Sequence, residues 1–266
     1  MDYREYPIIP QLQSFVKVVW SMEAVSPGAG IAPIHILPDT CVELVVHFSD
    51  PYKTTFFDNT ASVQPRSFVV CQMKRHMSIE PNGSTGLIAA RFTAAAAYRF
   101  VKSSMKSIAD REVPLSSIWK EMAGELEDRI YHANSTDARN TIFQSFLYTV
   151  FRKNQIAEAP VIAYCIQEIR KAKGLISVED LSYKTGYSNR QLLRQFDRLV
   201  GLSPKEFARI TKFLNSLDIL ARHPGCNLTN VAYEGGYYDQ AHFIRDFKEY
   251  SGLTPREYLQ SANVVY

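Results

Sequence analysis

The pattern of apolar and polar residues changes character near residue 93. Before that point, runs rich in β-branched and aromatic residues occupy 41–48, 67–73 and 86–92. Turn-forming segments such as Ser49-Asp50-Pro51 and Pro81-Asn82-Gly83 separate them. Short strands at this spacing predict a small antiparallel barrel or sandwich.

After residue 93 the apolar residues recur at every third or fourth position, which is typical of helices. We expect Thr93 to cap a helix over 94–102, and a second helix to carry the apolar stripe over 115–126. The stripe over 142–151 is wide, so it suits either a core helix or a dimerising helix.

A polar run at 152–155 interrupts the helical pattern, and Pro160 then opens a new helix at its first turn, a position that favours proline. We therefore predict a domain boundary here. Residues 1–157 form one domain and 158–266 form the other.

The second domain contains an internal repeat, with copies at 176–213 and 226–260. SVEDLSYKTGYS aligns with NLTNVAYEGGYY at an offset of 50 residues, which becomes 51 after one extra residue in the second copy. Each copy predicts two helices joined by a turn. Gly186 and Gly236 lie at these turns, where a left-handed backbone favours glycine.

Capping residues mark where the later helices of each copy begin. Ser188 and Gln191 have the spacing of a capping box, and Asp239 is the corresponding cap in the second copy. Ser203 and Thr254 each precede a proline and lie three positions before a glutamate, so each predicts the start of a further helix.

The helix after each turn has one apolar stripe and one polar face. In a helix-turn-helix unit this helix enters the major groove of DNA, where arginine suits guanine and glutamine suits adenine. The predicted DNA-binding residues are Asn189, Arg190, Leu193, Arg194 and Arg198 in the first copy, and Gln240, Ala241, Ile244, Arg245 and Lys248 in the second.

Two alternatives remain open on these helices. Arg194 and Arg245 occupy equivalent positions, so they share a role, which is either base contact or pairing with carboxylates inside each unit. Leu193 and Ile244 either contact thymine methyl groups or pack against a neighbouring helix.

The distribution of charge agrees with binding to nucleic acid. Residues 1–159 carry 16 Lys and Arg against 16 Asp and Glu, whereas 160–266 carry 14 against 11, which is the whole net charge of +3. The segment 184–212 alone has a surplus of five positive charges. Such a patch is expected for phosphate binding, although many basic helices are simply solvated.

Other classes of protein fit the composition poorly. The chain is 46% hydrophobic and 21% charged, no apolar run is long enough to cross a membrane, and the first residues lack a signal pattern, so we expect a cytoplasmic protein. Cys41, Cys71, Cys165 and Cys226 lack zinc-ligand spacing and are expected to be free thiols. We predict neither a metal nor another cofactor.

Residues 160–260 resemble the DNA-binding domain of the AraC/XylS family of bacterial transcription regulators. The most specific stretch is GGYYDQAHFIRDFKEYSGLTPREY (235–258). The chain departs from the family pattern at Ser182, where alanine is usual, and at Ile244, where a small polar residue is commoner. The resemblance implies an α+β protein whose first domain is cupin-like, with flanking helices, and both senses an effector and dimerises. It also implies operator DNA, a small-molecule effector, RNA polymerase and a second copy of the chain as candidate partners.

The first domain offers candidate ligands for an effector. Strand alternation places Glu43 and His47 on one face, where they either line a polar pocket or face solvent. Arg91 on another strand is placed to hold an acidic ligand, and Trp20 is a candidate wall residue. His35 with Glu43 and His47 invites a metal interpretation, but the sequence has no His-x-His pair.

Three functions are compatible with these features to different degrees. The favoured one is a sequence-specific transcription regulator that responds to a small molecule. One alternative is an architectural DNA-binding protein without effector sensing. The other is a cupin-like enzyme with an accessory DNA-binding tail, for which the sequence shows neither a metal triad nor a nucleophile constellation.

Overall fold

The computed structural model describes residues 2–24, 32–223, 225, 227–261 and 263–265. Its first part is built from β-strands and its second part from helices, which confirms the α+β class and the predicted order of the two parts. The strands are β1 (Asp2–Tyr6), β2 (Val16–Ala24), β3 (Ile34–Ile36), β4 (Val42–His47), β5 (Lys53–Phe56), β6 (Ala61–Val63), β7 (Ser67–Cys71), β8 (Met77–Glu80), β9 (Thr85–Phe92), β10 (Arg111–Pro114) and β11 (Val264–Val265).

The strands form two sheets. The larger sheet has the order β1-β2-β9-β4-β7-β10, and its paired strands are antiparallel. The smaller sheet has the order β11-β3-β8-β5-β6. Within it β11 pairs in parallel with β3, so a strand from the C-terminal end of the chain joins the N-terminal part. Apart from the β11–β3 pair, the described strand pairs of both sheets are antiparallel, which agrees with the cupin-like architecture that the sequence implied.

Strand β4 lies in the middle of the larger sheet, between β9 and β7, and its two faces pack against different neighbours. Val42, Leu44 and Val46 belong to the main hydrophobic core, together with residues of the flanking helices. Val45, on the opposite face, belongs to a separate cluster with Phe68 and others. Both faces are therefore covered, because one meets helices and the other meets the second sheet.

The helices are α1 (Leu115–Trp119), α2 (Glu121–Tyr131), α3 (Thr136–Asn154), α4 (Pro160–Lys171), α5 (Val178–Thr185), α6 (Asn189–Leu199), α7 (Pro204–Arg222), α8 (Leu228–Glu234), α9 (Gln240–Ser251) and α10 (Pro255–Gln260). None of the helices described is both long enough and apolar enough to cross a membrane.

The predicted helix over 94–102 is wrong, since the segment forms a single 3-10 turn at Ala97–Arg99. Six of its nine residues are buried and one, Lys102, is exposed, so the segment lacks the broad solvent-facing side of a surface helix, and packing into the core overrides helix propensity. The stripe over 115–126 forms two helices, because Lys120 has a left-handed backbone with φ of 50°. Helix α1 packs on β7 and β10, whereas α2 packs on α3 and β4, and the break allows both contacts.

The polar run at 152–155 does not interrupt the helix where the sequence suggested. Helix α3 continues to Asn154, and Gln155 ends it in the left-handed region with φ of 46°. The basic side chains Arg152 and Lys153 occupy the last turn of α3, where cations interact favourably with the helix dipole.

Candidate nucleic-acid interface and ligand cavity

Local capping interactions position the two helices predicted to bind DNA. Before α6, the Ser188 side chain accepts from the Gln191 backbone N–H and the Gln191 side chain accepts from the Ser188 backbone N–H, a complete capping box. Before α9, Asp239 accepts from the backbone N–H of His242. Gly186, with φ of 72°, makes the turn that brings α6 away from α5. These starts and the turn confirm the sequence prediction.

The predicted apolar stripes are buried. The buried residues are Leu192, Phe196 and Leu199 on α6, and Phe243, Phe247 and Tyr250 on α9. The opposite face of each helix is left toward solvent. Exposed positions on this face are Asn189, Arg190, Leu193, Arg194 and Arg198 on α6, and Ala241, Arg245 and Lys248 on α9, while Gln240 is half-buried.

Arg194 and Arg245 are exposed at equivalent positions of the repeat. Neither makes an ion pair or a side-chain hydrogen bond to any residue that the structure describes. The described residues thus give no support to the alternative in which these arginines pair with carboxylates of their own unit. Both guanidinium groups are available to an external ligand.

The two outward apolar residues differ. Leu193 is 44% exposed, whereas Ile244 is half-buried and packs against the main hydrophobic core. Packing therefore accounts for Ile244, and Leu193 stays available for contact with DNA.

Sequence reasoning missed one residue on the first helix of each unit. On α5, Glu179 accepts from Asn189 Nδ2 at 3.4 Å, and on α8, Thr229 Oγ1 donates to Gln240 Oε1 at 2.7 Å. Glu179 and Thr229 are equivalent in the repeat, as are Asn189 and Gln240. The alignment of the two copies was the signal that could have found them.

The long helix α7 holds the second unit by charge. Arg209 lies 3.3 Å from Asp246 and 3.4 Å from Glu249, both on α9. The Asp246 side chain is almost fully buried, and His242 lies 3.6 Å from it. Because an unpaired buried carboxylate is costly, this pair fixes how α9 is oriented against α7.

The N-terminal half contacts α6 directly. Lys106 Nζ lies 2.6 Å from Asp197 Oδ2, and Ser104 Oγ donates to the Asp197 carbonyl at 3.4 Å. Asp197 belongs to the outward face of α6, and the equivalent residue of α9 is Lys248. The first unit therefore carries a carboxylate that binds the N-terminal half, where the second carries a cation.

A second set of contacts joins the N-terminal half to α7 and α9. The His76 backbone N–H donates to the Tyr250 carbonyl at 2.9 Å, and Lys74 lies 3.0 Å from Glu206. Gly252 ends α9 with φ of 72°, and a Cβ there would lie 2.5 Å from the His76 ring. Both helix-turn-helix units thus touch the N-terminal half.

A cavity of about 620 Å³ lies between the two sheets of the N-terminal part. Its walls are largely apolar, and a few polar groups converge on one end, which is typical of small-molecule sites. The apolar lining includes Val18, Trp20, Met22, Ile34, Ile36, Val45, Phe68, Val70, Met77, Ile79, Leu87 and Val265.

Three of the four predicted effector ligands line this cavity: Trp20, Glu43 and Arg91. Glu43 Oε1 accepts from Trp20 Nε1 at 2.9 Å and lies 3.5 Å from Arg91 Nε. Arg91 Nη1 lies 3.4 Å from Asp39, which the sequence reasoning missed. Burial raises the pKa of Glu43, although Arg91 opposes this effect. The guanidinium therefore lies between two carboxylates.

His47 is not among the residues that line this cavity. It is fully buried, and its Nε2 lies 3.0 Å from Gln64 Oε1. Burial lowers the pKa of His47 to about 4, so its ring is neutral at pH 7. The face that carries Glu43 and His47 lies inside the protein, so the solvent-facing alternative does not describe it.

The described residues contain no group of three or more His, Cys, Asp or Glu that could hold a metal ion. Cys41, Cys71 and Cys165 are free thiols, and burial raises the pKa of each, most strongly for Cys71. Cys226 lies outside the described residues.

Two family models match separate parts of the chain. Residues 4–114 match one described as "Domain of unknown function (DUF6597)", and residues 181–261 match a helix-turn-helix domain. The second match begins at Leu181, inside α5, and covers the rest of the first unit and the whole of the second. These residues also carry most of the resemblance to the AraC/XylS family. Within this helix-turn-helix domain, Ser182 stands where that family usually has alanine, and its hydroxyl donates to the Tyr187 carbonyl at 2.6 Å.

Curated relatives resemble parts of the chain. The RhaS transcriptional activator of Escherichia fergusonii is 27% identical over 135 residues, 47% of this chain and 47% of its own. The uncharacterized transcriptional regulator YdeC of Bacillus subtilis is 29% identical over 83 residues, 31% of this chain and 28% of its own. The chain thus spans less than half the length of these relatives.

Among solved structures, ToxT of Vibrio cholerae is similar over 98% of both chains, with 12% identity and a TM-score of 0.49.

Proposed function

We propose that this protein is a sequence-specific DNA-binding transcription regulator whose affinity for DNA responds to a small molecule in the cavity. One observation carries the DNA-binding part. The equivalent residues Arg194 and Arg245 project from the two capped helices without partners among the described residues. The regulators among the curated relatives support the same interpretation and give no support to an enzyme. Because the proposed ligand is chromosomal DNA, the proposed site of action is the cytoplasm.

The proposed binding mode places α6 and α9 in successive major grooves on one face of the duplex, about 34 Å apart. Helix α7 has 19 residues and connects the two units, so it is about 28 Å long and of the right size to set this distance. Its ion pairs to α9 would keep the spacing constant. We further propose that residues 158–266 form the DNA-binding domain and 1–157 the sensing domain.

The structure offers a physical route from the cavity to the DNA-binding helices. Strand β11 follows shortly after α10 and pairs with β3, with the His35 backbone N–H donating to the Asn263 carbonyl at 2.8 Å. Val265 of β11 lines the cavity beside Ile36. A ligand that moves this wall would also act on the segment that follows the second unit, and so favour one arrangement of the two halves.

A selection experiment tests the DNA-binding proposal. Duplexes are selected from a random pool with the full-length chain, and binding to the selected duplex and to a scrambled duplex is followed by fluorescence anisotropy. Preference for the selected duplex of at least about a thousandfold at physiological salt is expected for a specific regulator. Equal binding to both duplexes would instead favour an architectural role. A second copy of the chain and RNA polymerase are further proposed partners.

A further inference from the structure

The charged residues that line the cavity of the N-terminal part constrain the chemistry of its ligand. Four ionisable side chains other than tyrosine line the cavity: Glu43 and Arg91 at one end, and Glu5 and Lys17 at the rim. Asp39 lines an adjoining smaller pocket and pairs with Arg91 from there. Glu5 and Lys17 are both exposed and opposite in charge, so they offset each other. The selectivity of the cavity for charge is therefore decided by the cluster at its inner end.

That cluster has one cation and two carboxylates. Arg91 lies 3.4 Å from Asp39 and 3.5 Å from Glu43, and all three side chains are at least three-quarters buried. Across the sheet, Glu43 of β4 and Arg91 of β9 are directly paired, so the backbone itself holds the two charges together. The Arg91 guanidinium therefore already has a carboxylate on each of two sides before any ligand enters.

An acidic ligand would meet this cluster unfavourably. Its carboxylate would become a third anion around one guanidinium, and like charges that are close together and poorly solvated repel strongly. The indole N–H of Trp20 is also committed, since it already donates to Glu43 at 2.9 Å. Hydrogen-bonding capacity of both kinds remains at this end, on the Glu43 carboxylate and on Arg91 Nε, which is buried without a hydrogen-bond partner among the described residues. The balance of one cation against two carboxylates is therefore what favours a cationic ligand.

We infer that the cavity binds an apolar molecule that carries a cationic amine, with the ammonium group held by Glu43 and the apolar body held between Trp20, Phe68 and the aliphatic walls. The inference rests on the proposed function only in treating this cavity as the effector site. An ammonium donates hydrogen bonds. It also supplies a second positive charge, so that the two carboxylates Glu43 and Asp39 are balanced by two cations, Arg91 and the ligand. A flat aromatic body fits beside the rings of Trp20 and Phe68, which both line the cavity.

Three isosteric probes distinguish the charge of the ligand: tryptamine, tryptophol and indoleacetate, each titrated into the full-length chain by calorimetry. We expect tryptamine to bind at least about tenfold more tightly than indoleacetate, with tryptophol between them, because a hydrogen bond to a charged group is stronger than one between neutral groups. Equal or tighter binding of indoleacetate, or no binding of tryptamine, would overturn the inference.

A variant identifies the residue responsible. Glu43→Gln keeps the shape of the side chain but removes its charge, so it should weaken tryptamine at least about tenfold and leave tryptophol within about twofold. Glu125→Gln, an exposed change on α2, is the matched control and should leave all three affinities unchanged. If thermal unfolding shows that Glu43→Gln does not fold, Asp39→Asn is scored in its place. An unchanged tryptamine affinity in Glu43→Gln refutes the assignment to Glu43, and an unchanged affinity in Asp39→Asn refutes the role given to the net charge of the cluster.

The same samples separate this inference from the proposed function. If tryptamine binds without altering the affinity for the selected duplex, the inferred ligand class is supported and the proposed effector response is refuted. If indoleacetate binds tightly and the chain still discriminates between selected and scrambled DNA, the inferred ligand class is refuted and the proposed sequence-specific DNA binding is supported.

Discussion

Replacing Arg194 or Arg245 by alanine is the most direct test of the DNA interface. Both side chains are exposed and lack partners among the described residues, so neither change should affect the free energy of unfolding by more than about 0.5 kcal/mol. A lost bidentate contact to a base costs about 1–3 kcal/mol, so each single variant should bind the selected duplex about 5-fold to 150-fold more weakly. Binding to scrambled DNA should change less, because a phosphate contact is all that is lost there.

The double variant gives a sharper magnitude. The two arginines lie on α6 and α9, which are separated by the 19 residues of α7, so their effects should add within about 0.5 kcal/mol. The expected loss is then about 2–6 kcal/mol, which approaches the whole difference between specific and non-specific binding.

Fluorescence anisotropy on the selected and scrambled duplexes measures all three variants, with urea unfolding as a check on stability. Arg129→Ala, an exposed arginine of α2, is the matched control and should leave both affinities unchanged. An equal loss on both duplexes would show that Arg194 and Arg245 contact phosphates, and a strongly non-additive double variant would refute the two-site arrangement.

Three further outcomes are expected. The fragment 158–266 should be helical by circular dichroism and bind DNA with a steep dependence on salt, and an unfolded fragment would refute the proposed boundary. Gly186 and Gly252 share a φ of 72°, so Gly186→Ala should lower the free energy of unfolding in urea by about 1 kcal/mol and Gly252→Ala by at least that much. Gly252→Ala should lose more, since its Cβ meets an imidazole whereas that of Gly186 meets open space, and equal losses would contradict this packing. The lowered pKa of His47 means that its contribution to stability is complete above pH 6.5 and lost as the pH falls toward about 4. His47→Gln should flatten this part of the urea-unfolding profile, and an unchanged profile would refute the role of His47.

The parts of this protein that sequence predicted well depend on residues close together in the chain. Capping boxes join positions three residues apart, and apolar stripes recur every three or four positions, so each is visible before any fold is known. The internal repeat then provided the same evidence twice. Arg194 and Arg245 could therefore both be assigned to the outward face of the second helix of their unit. The buried face of β4 was predictable in the same way from its alternation of residues, although the sequence left open whether the face with Glu43 was buried too.

What only the tertiary structure decided depends on contacts between distant segments. The pairing of Arg91 with Asp39 and Glu43 determines which charge the cavity offers, and nothing in the spacing of these residues indicates it. The contact of Lys106 with Asp197 and the pairing of β11 with β3 join segments about 90 and more than 200 residues apart. Such contacts form because packed sheets and helices bring these segments together after local structure exists, so their partners are chosen by the whole fold.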